Sequence, residues 1–251
     1  MVDDQTMQAV VLRRPKVLEL VDVPVPRVTR PEHVLIRVMA CGICGSDLRY
    51  WAGDNPWALH TLGHHVDNPP NIILGHEYAG VVAAVNAPEY EHLLGRRVGV
   101  QAYRVCGECR FCQSGRHNLC KQTIHMGHGQ GWGKLDFYPG AYAEFCLGWG
   151  DLLYPIPDGV SHEEAAMAEP LACAINGLEL VWLGVGESIV IIGAGPAGLL
   201  MAQLARHMGA TKILLAQRSK ARLEMAREYD VDVLIATQDE DLEARVMDET
   251  S

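Results

Sequence analysis

The chain has 251 residues, 49% of them hydrophobic and 21% charged, with a formal net charge of −10. That is enough apolar material for one large core or two modest ones, and too much for a disordered chain. The acidic balance argues against a nucleic-acid partner held through its phosphates. No apolar run reaches membrane-spanning length, and the opening MVDDQTMQ lacks the basic-then-apolar pattern of an export signal. Eight cysteines without such a signal suit a reducing cytoplasm, where thiols stay available for metal.

The first half predicts short strands over AVVLRR, VLELVDV, HVLIRVMACG, IILGHEYAGVVAAV and RRVGVQAY, broken by Pro, Gly and charge. Many short strands with turn signals suggest a barrel-like β-rich domain. Between Asp47 and Gly75 the chain is rich in Trp, His, Asn and Pro and has no period, which predicts a long loop. The character changes near Pro155 to Gly159, giving domains over 1–160 and 161–251. A helical segment, HEEAAMAEPLACAINGLELVWL, opens the second. SIVIIGAG then reads as a buried strand and PAGLLMAQLARHMGA as a helix with Leu200, Leu204 and Met208 on one face. KILLAQ, a helix over SKARLEMAREY, and VLIAT complete a β-α-β-α-β unit, which implies a parallel sheet with right-handed crossovers. The fold class is therefore α/β plus β: a β-rich domain followed by part of a doubly wound parallel sheet.

Cys106, Cys109, Cys112 and Cys120 are spaced C-x2-C-x2-C-x7-C. Four thiolates in one short lobe, with no open position, suit structural zinc. The alternatives are scattered buried thiols or a pair of disulfides. Gly193, Gly195 and Gly198 follow a strand and open a helix, with Pro196 and Ala197 between the last two. In that setting the first glycine allows the turn, the second lets backbone approach a pyrophosphate, and the third lets helix and strand pack closely. Where an acidic residue would grip the ribose hydroxyls, this chain has Gln217, then Arg218, and Arg222 one turn on. A neutral amide with guanidinium groups favours NADP over NAD. The alternative is that Gln217 bonds a ribose hydroxyl and both arginines are solvated.

A second set of donors, Cys44, His76, Glu77 and Glu169, mixes thiolate, imidazole and carboxylate, which suits a zinc ion with one position open to water or substrate. Each has a plain alternative: a buried thiol, a core histidine, a charge at a helix start. A redox pair of Cys41 and Cys44 is a further one. His60, His64, His65, His125 and His128 read as loop or surface histidines, Trp51 and Trp57 as walls of a pocket or ordinary cover, and Cys41, Cys146 and Cys173 as buried thiols.

Five motifs, G-I-C-G-S-D, G-H-E, the four-cysteine lobe, the E-P helix and the glycine turn, follow one another over nearly the whole chain. In that order they resemble the zinc-dependent medium-chain alcohol and polyol dehydrogenases, and Glu169 and Glu77 resemble the sorbitol and threonine dehydrogenase branch. The resemblance implies a GroES-like catalytic domain and a Rossmann domain, two zinc ions per chain and NAD(P). It also implies a small alcohol or polyol substrate and a dimer or tetramer. It implies that Cys44, His76 and Glu169 hold the catalytic zinc, that Glu77 contacts the ion through water or exchanges with it, that Ser46 accepts the hydroxyl proton, and that Asp47 orients His76. Two departures stand out. Arg49 replaces the histidine that relays the proton in much of the family, and the chain stops in what should be the third nucleotide-domain helix, as a fragment would. The competing reading is a non-catalytic zinc-binding fragment of such a dehydrogenase.

Overall fold

A computed structural model describes residues 5–250, so the first four residues of MVDDQTMQ and Ser251 lie outside the described residues. The chain divides into two compact units, the first ending at Glu169 and the second beginning at Pro170.

The first unit runs β1 (Thr6–Arg14), β2 (Val17–Pro24), β3 (His33–Cys41), α1 (Gly45–Ala52), α2 (Pro56–Leu62), β4 (Ile72–Ile73) and β5 (Tyr78–Val85). It continues with β6 (Arg97–Val100), β7 (Tyr103–Arg104), α3 (Arg110–Gln113), β8 (Ile124–His125), β9 (Phe145–Trp149), β10 (Leu153–Pro155) and α4 (His162–Ala166). Strands β2-β1-β4 form one sheet, β10-β6-β5-β3-β9 a second, and β7-β8 a ribbon. All the pairings between these named strands are antiparallel. Alternation decides what is buried: Met7, Ala9 and Val11 of β1 share one core with Val34, Ile36, Tyr78, Val98 and Trp149 of the larger sheet.

The segment expected to be a loop between Asp47 and Gly75 contains α1 and α2. Local capping makes them. The Asp47 carboxylate accepts the Cys44 N–H at 2.9 Å, and the Asn55 side chain accepts the Ala58 N–H at 3.0 Å with Pro56 opening the helix. Gly53 and Gly63 end the two helices at φ of 110° and 78°. The stretch IILGHEYAGVVAAV, expected as one strand, is β4 and β5 in different sheets, with Gly75-His76-Glu77 as the crossing between them. RRVGVQAY likewise splits into β6 and β7. The unit boundary falls after the change in composition near residue 160, because α4 packs on β3, β5 and β6 through Ala165 and Ala166.

The second unit contains most of α5 (Ala168–Leu180), then β11 (Ser188–Ile192), α6 (Pro196–His207), β12 (Lys212–Gln217), α7 (Lys220–Ala226), β13 (Val233–Ala236) and α8 (Leu242–Thr250). Its sheet is parallel in the order β11-β12-β13. The expected helix from His162 is two, α4 and α5, broken at Met167. On α6 the buried stripe is Leu199, Ala202 and Ala205; Leu204 and Met208 flank it, half-buried, and Leu200 does not lead it. The small alanines let α6 lie close to β11 and β12.

Candidate functional site

Cys106, Cys109, Cys112 and Cys120 bring four sulfurs within 4.8 Å of one another. Neighbouring sulfurs stand 3.8 Å apart for Cys106–Cys112, 3.5 Å for Cys109–Cys112 and 3.6 Å for Cys106–Cys120. Four Zn–S bonds of about 2.3 Å arranged tetrahedrally require edges of about 3.8 Å, so the donor set fits a zinc ion. The same distances rule out disulfides, and all eight cysteines are free thiols. The chain turns tightly enough because Gly107 and Gly115 sit at φ of 77° and 74°, flanking α3. The Cys109 N–H points at the Cys106 sulfur at 3.4 Å. The amide of Cys112, then the neighbouring thiols, hold Cys109 down at about 7, while burial pushes the Cys112 thiol up.

A second donor group forms where the loop before α1 meets the crossing between β4 and β5. Cys44, His76 and Glu77 place a sulfur, a ring nitrogen and a carboxylate oxygen within 4.8 Å, with His76 and Glu77 buried and Cys44 half-buried. Cys44 is the residue before the first turn of α1, so its sulfur lies at the positive end of that helix. Gly75 allows the sharp approach at φ of 91°. Gly42 leaves room for Glu77, since a Cβ there would stand 2.3 Å from its Oε2. The Gly42 N–H also donates to the Glu77 carbonyl at 2.7 Å.

Asp47 anchors this group. Its Oδ1 faces His76 Nδ1 at 3.6 Å and accepts the Gly75 N–H at 3.3 Å; its Oδ2 accepts the Cys44 N–H and the Tyr142 hydroxyl, each at 2.9 Å. Burial pushes Asp47 up, but these donors outweigh it and hold the carboxyl low. Burial likewise pushes His76 down, yet Asp47 and Cys44 overcome it and raise the imidazole to about 10. The pocket therefore favours positive charge beside the sulfur and the carboxylates, which is the electrostatic condition for a divalent cation. A thiolate, an imidazole and a carboxylate also match the donor chemistry of zinc with one position left open.

The other expected residues fall as follows. Ser46 lies on α1 with its hydroxyl buried and without a hydrogen-bond partner. Glu169, the second residue of α5, is half-buried and is not in the Cys44 donor group. Arg49 pairs with Asp54 at 3.3 Å. Trp57 donates its indole N–H to Thr123 at 2.8 Å. Cys146 is buried and Cys41 half-buried, whereas Cys173 is exposed because it sits on an outward turn of α5.

Two residues carried no sequence signal. Tyr142 reaches the site from a distant loop, as described above. His128, expected as a loop or surface histidine, is buried: its ring stacks on Tyr50 at 4.7 Å and meets His76 edge-on at 4.6 Å. Its donor atom groups with those of Asp47 and His76, and neither of its nitrogens has a hydrogen-bond partner. Burial, then the neighbouring His76 and His125, hold it far down and neutral. His125, half-buried, stacks on His128 at 5.1 Å and is pushed down to about 4 by burial and His76. His60, His64 and His65 are exposed.

In the second unit the glycine turn joins β11 to α6. Gly193 takes φ of 113°, and a Cβ on Gly198 would stand within a bond length or so of the Gly193 carbonyl oxygen, at 1.9 Å. A Cβ on Gly195 would meet nothing within 4 Å, so the backbone there lies open. Pro196 and Ala197 start α6, whose first N–H groups face the turn. Parallel register pairs Ile192 with Ala216, which brings Gln217 to the same end of the sheet as the turn. Gln217 folds its side-chain oxygen back to accept the N–H groups of Arg218 at 2.6 Å and Ser219 at 3.3 Å, and Arg218 and Arg222 are exposed.

Residues 30–158 match the alcohol dehydrogenase GroES-like domain family, just over half of the chain, and residues 196–251 match the zinc-binding dehydrogenase family. L-threonine 3-dehydrogenase of Rhizobium johnstonii is 35% identical over 94% of this chain and 64% of its own length. Sorbitol dehydrogenase of Bacillus subtilis is 34% identical over 94% of this chain and 63% of its own. The chain thus spans a little under two thirds of the curated relatives it matches. Among solved structures, an alcohol dehydrogenase from a Thermus species superposes with a TM-score of 0.83 at 32% identity, covering 97% of this chain and 67% of that one. A Sinorhizobium meliloti protein described as a zinc-binding dehydrogenase, solved bound to NADP, gives 0.81 at 30% identity, covering 95% and 64%. By sequence and by fold, the chain belongs to the zinc-binding alcohol dehydrogenases with a GroES-like domain.

Proposed function

We propose that this chain carries the zinc site and the first part of the nucleotide site of a dehydrogenase. The enzyme would move a hydride between a secondary alcohol, polyol or amino alcohol and NAD(P). The observation that carries the reading is the convergence of Cys44, His76 and Glu77, whose donor atoms lie within 4.8 Å of one another. Cys44 and His76 hold the catalytic ion with Glu77, and Glu169 is the further carboxylate that the family pattern assigns to it. The four cysteines of the lobe hold the structural ion. When bound, zinc supplies Lewis acidity toward a substrate hydroxyl and the nicotinamide supplies the hydride acceptor.

The remaining work belongs to side chains. Asp47 Oδ1 faces His76 Nδ1 at 3.6 Å and orients the ring by its charge. Ser46, with its unpartnered hydroxyl at the head of α1, is the acceptor for the substrate proton. Arg49 stays charged and paired with Asp54, so onward transfer from Ser46 goes through water. Gly193, Gly195 and Gly198 shape the pyrophosphate site with the N–H groups of Ala197, Gly198 and the residues that follow. Arg218 and Arg222 take the 2′-phosphate of NADP, the preferred cofactor. Similarity to threonine, sorbitol and other polyol-linked dehydrogenases supports the substrate class. A reducing cytoplasm and a homo-oligomer complete the proposal, the first supported by eight free thiols. No helix of the described residues is long and apolar enough to cross a membrane.

The competing reading, a zinc-binding fragment without catalysis, draws on the chain's coverage of its relatives. Elemental analysis combined with NADPH titration tests the pair. Two zinc ions per chain with saturable NADPH binding support the dehydrogenase reading. One zinc ion and no nucleotide binding overturn it.

A further inference from the structure

The three donors that the structure groups, Cys44, His76 and Glu77, come from two chain segments, Cys44 ahead of α1 and His76–Glu77 ahead of β5. A third segment touches both. The Tyr142 N–H donates to the Leu74 carbonyl at 2.9 Å, and its own carbonyl accepts the Val10 N–H at 2.8 Å, so its backbone is pinned on both sides. From there the ring lies over Gly75, where an added Cβ would come within 2.6 Å of it. The hydroxyl ends between Asp47 Oδ2 at 2.9 Å and the Gly42 carbonyl at 3.3 Å. A phenol has one proton to give, and the shorter contact to a carboxylate is the stronger, charge-assisted one. Asp47 Oδ2 then holds the Cys44 segment through its N–H, while Oδ1 faces His76 and holds the Gly75 N–H.

We propose that Tyr142 is a positioning residue of the zinc site: its hydroxyl fixes the Asp47 carboxylate, and through it the relative placement of Cys44 and His76. The inference rests on the reading of Cys44, His76 and Glu77 as metal ligands. Without the hydroxyl, Oδ2 keeps one donor in a buried setting, and the carboxylate is free to rotate away from His76. Residues that orient a ligating histidine typically change metal affinity 10–100-fold. Tyr142 acts one bond further out, so the lower end of that range is expected.

The test compares the wild-type chain with Tyr142→Phe, which keeps the ring and its packing over Gly75. Tyr138→Phe serves as a control, since among the described residues its hydroxyl bonds only the backbone of Gly133 and Leu135. Zinc is withdrawn by a graded chelator and the two ions are counted as they leave. Cobalt(II) returned to the weaker site reports its symmetry through the ligand-field band. The expected result is that one ion of two leaves Tyr142→Phe at about tenfold lower chelator strength, with a shifted cobalt band. Tyr138→Phe should behave as wild type, and both variants should melt within a few degrees of each other. Wild-type retention and an unshifted band in Tyr142→Phe would overturn the proposal. So would loss of both ions together, or the same loss in Tyr138→Phe, since either would mean general loosening. A wild-type chain that holds a single zinc ion overturns the metal reading itself, and the two failures are thereby told apart.

Discussion

Gly42→Ala separates the geometry of the metal pocket from the stability of the fold. The backbone of Gly42 is not among those at positive φ, so alanine enters without conformational strain. The three atoms nearest its Cβ would all belong to Glu77: Oε2 at 2.3 Å, Cβ at 3.2 Å and Cδ at 3.4 Å. Only the carboxylate tip lies at an impossible distance. Restoring ordinary contact requires the oxygen to retreat by about 1 Å, which a rotation of the glutamate side chain supplies. An off-rotamer side chain costs roughly 0.5–1.5 kcal/mol, so the fold should lose about 1 kcal/mol and remain cooperative. A metal ligand displaced by about 1 Å is a different matter, because bonds to zinc hold within roughly 0.2 Å. If Glu77 bonds the ion, affinity should fall about 10–100-fold, equivalent to about 1.4–2.7 kcal/mol. Chelator competition reads the affinity, and urea denaturation of the metal-free chain reads the stability. Unchanged zinc affinity would refute the placement of Glu77 on the ion. A stability loss well above 3 kcal/mol would refute the claim that only the carboxylate tip has to move.

Gly198→Ala should destabilise the second unit by several kcal/mol, because its Cβ meets the Gly193 carbonyl in backbone that cannot yield. Gly195→Ala should melt like wild type yet lose NADPH binding, which thermal melts and cofactor fluorescence distinguish. Arg218→Glu should weaken NADPH by roughly 10–100-fold, the worth of a charged hydrogen bond, while leaving NADH nearly unchanged. Cys112→Ser should release one zinc ion and lower amide-exchange protection around α3 while the strands of the larger sheet stay protected. Asp232 is pushed up by burial but held below its usual value by the Ile213 N–H at 2.6 Å and Arg206 at 2.7 Å. A depressed carboxyl stabilises the folded state fully above its unfolded value, about 3.8, and loses that contribution as pH falls through the lower folded value. The stability gap between wild type and Asp232→Asn should therefore be widest near neutrality and close in acid, as denaturation at several pH values would reveal.

The second unit was the most legible part of the chain. β11, β12 and β13 are continuous β-branched or apolar runs, and the glycine turn sits where strand passes to helix, so local pattern and final fold agree. α1 and α2 were not legible because eight and seven residues give barely two helical turns. What defines them is capping, and α1 is capped by Asp47 in its own first turn reaching back to the Cys44 N–H, a residue whose sequence context advertises metal chemistry instead. β4 and β5 read as one strand because Gly75 can either continue a strand or break it, and only the approach of Tyr142 and Asp47 decides. The four cysteines were legible by spacing alone. Tyr142 and His128 were not: Tyr142 bonds Asp47 across 95 residues, and no periodicity marks a contact of that separation. Cys173, expected to be buried, is exposed for a different reason. An apolar neighbourhood in sequence does not say which way a helical residue faces.

The charge balance of the pocket explains why so many polar groups gather there. Asp47 is 3% exposed and His76 is 7% exposed, and His76 stands beside a thiol and a second buried carboxylate, Glu77. Burying carboxylates costs several kcal/mol each unless they are paired and hydrogen-bonded. Asp47 is satisfied by Gly75, Cys44 and Tyr142, none of which brings positive charge. The negative charge is then answered either by a proton on His76, which Asp47 and Cys44 raise to about 10 against burial, or by a cation among the same donors. Metal and proton therefore compete for one pocket, and the ion that displaces the proton also leaves His76 neutral, the form that ligates. Tyr142 suits this arrangement because a phenol donates a hydrogen bond to Asp47 without adding a charge, whereas a lysine or arginine in its place would neutralise the carboxylate and weaken the attraction for the cation.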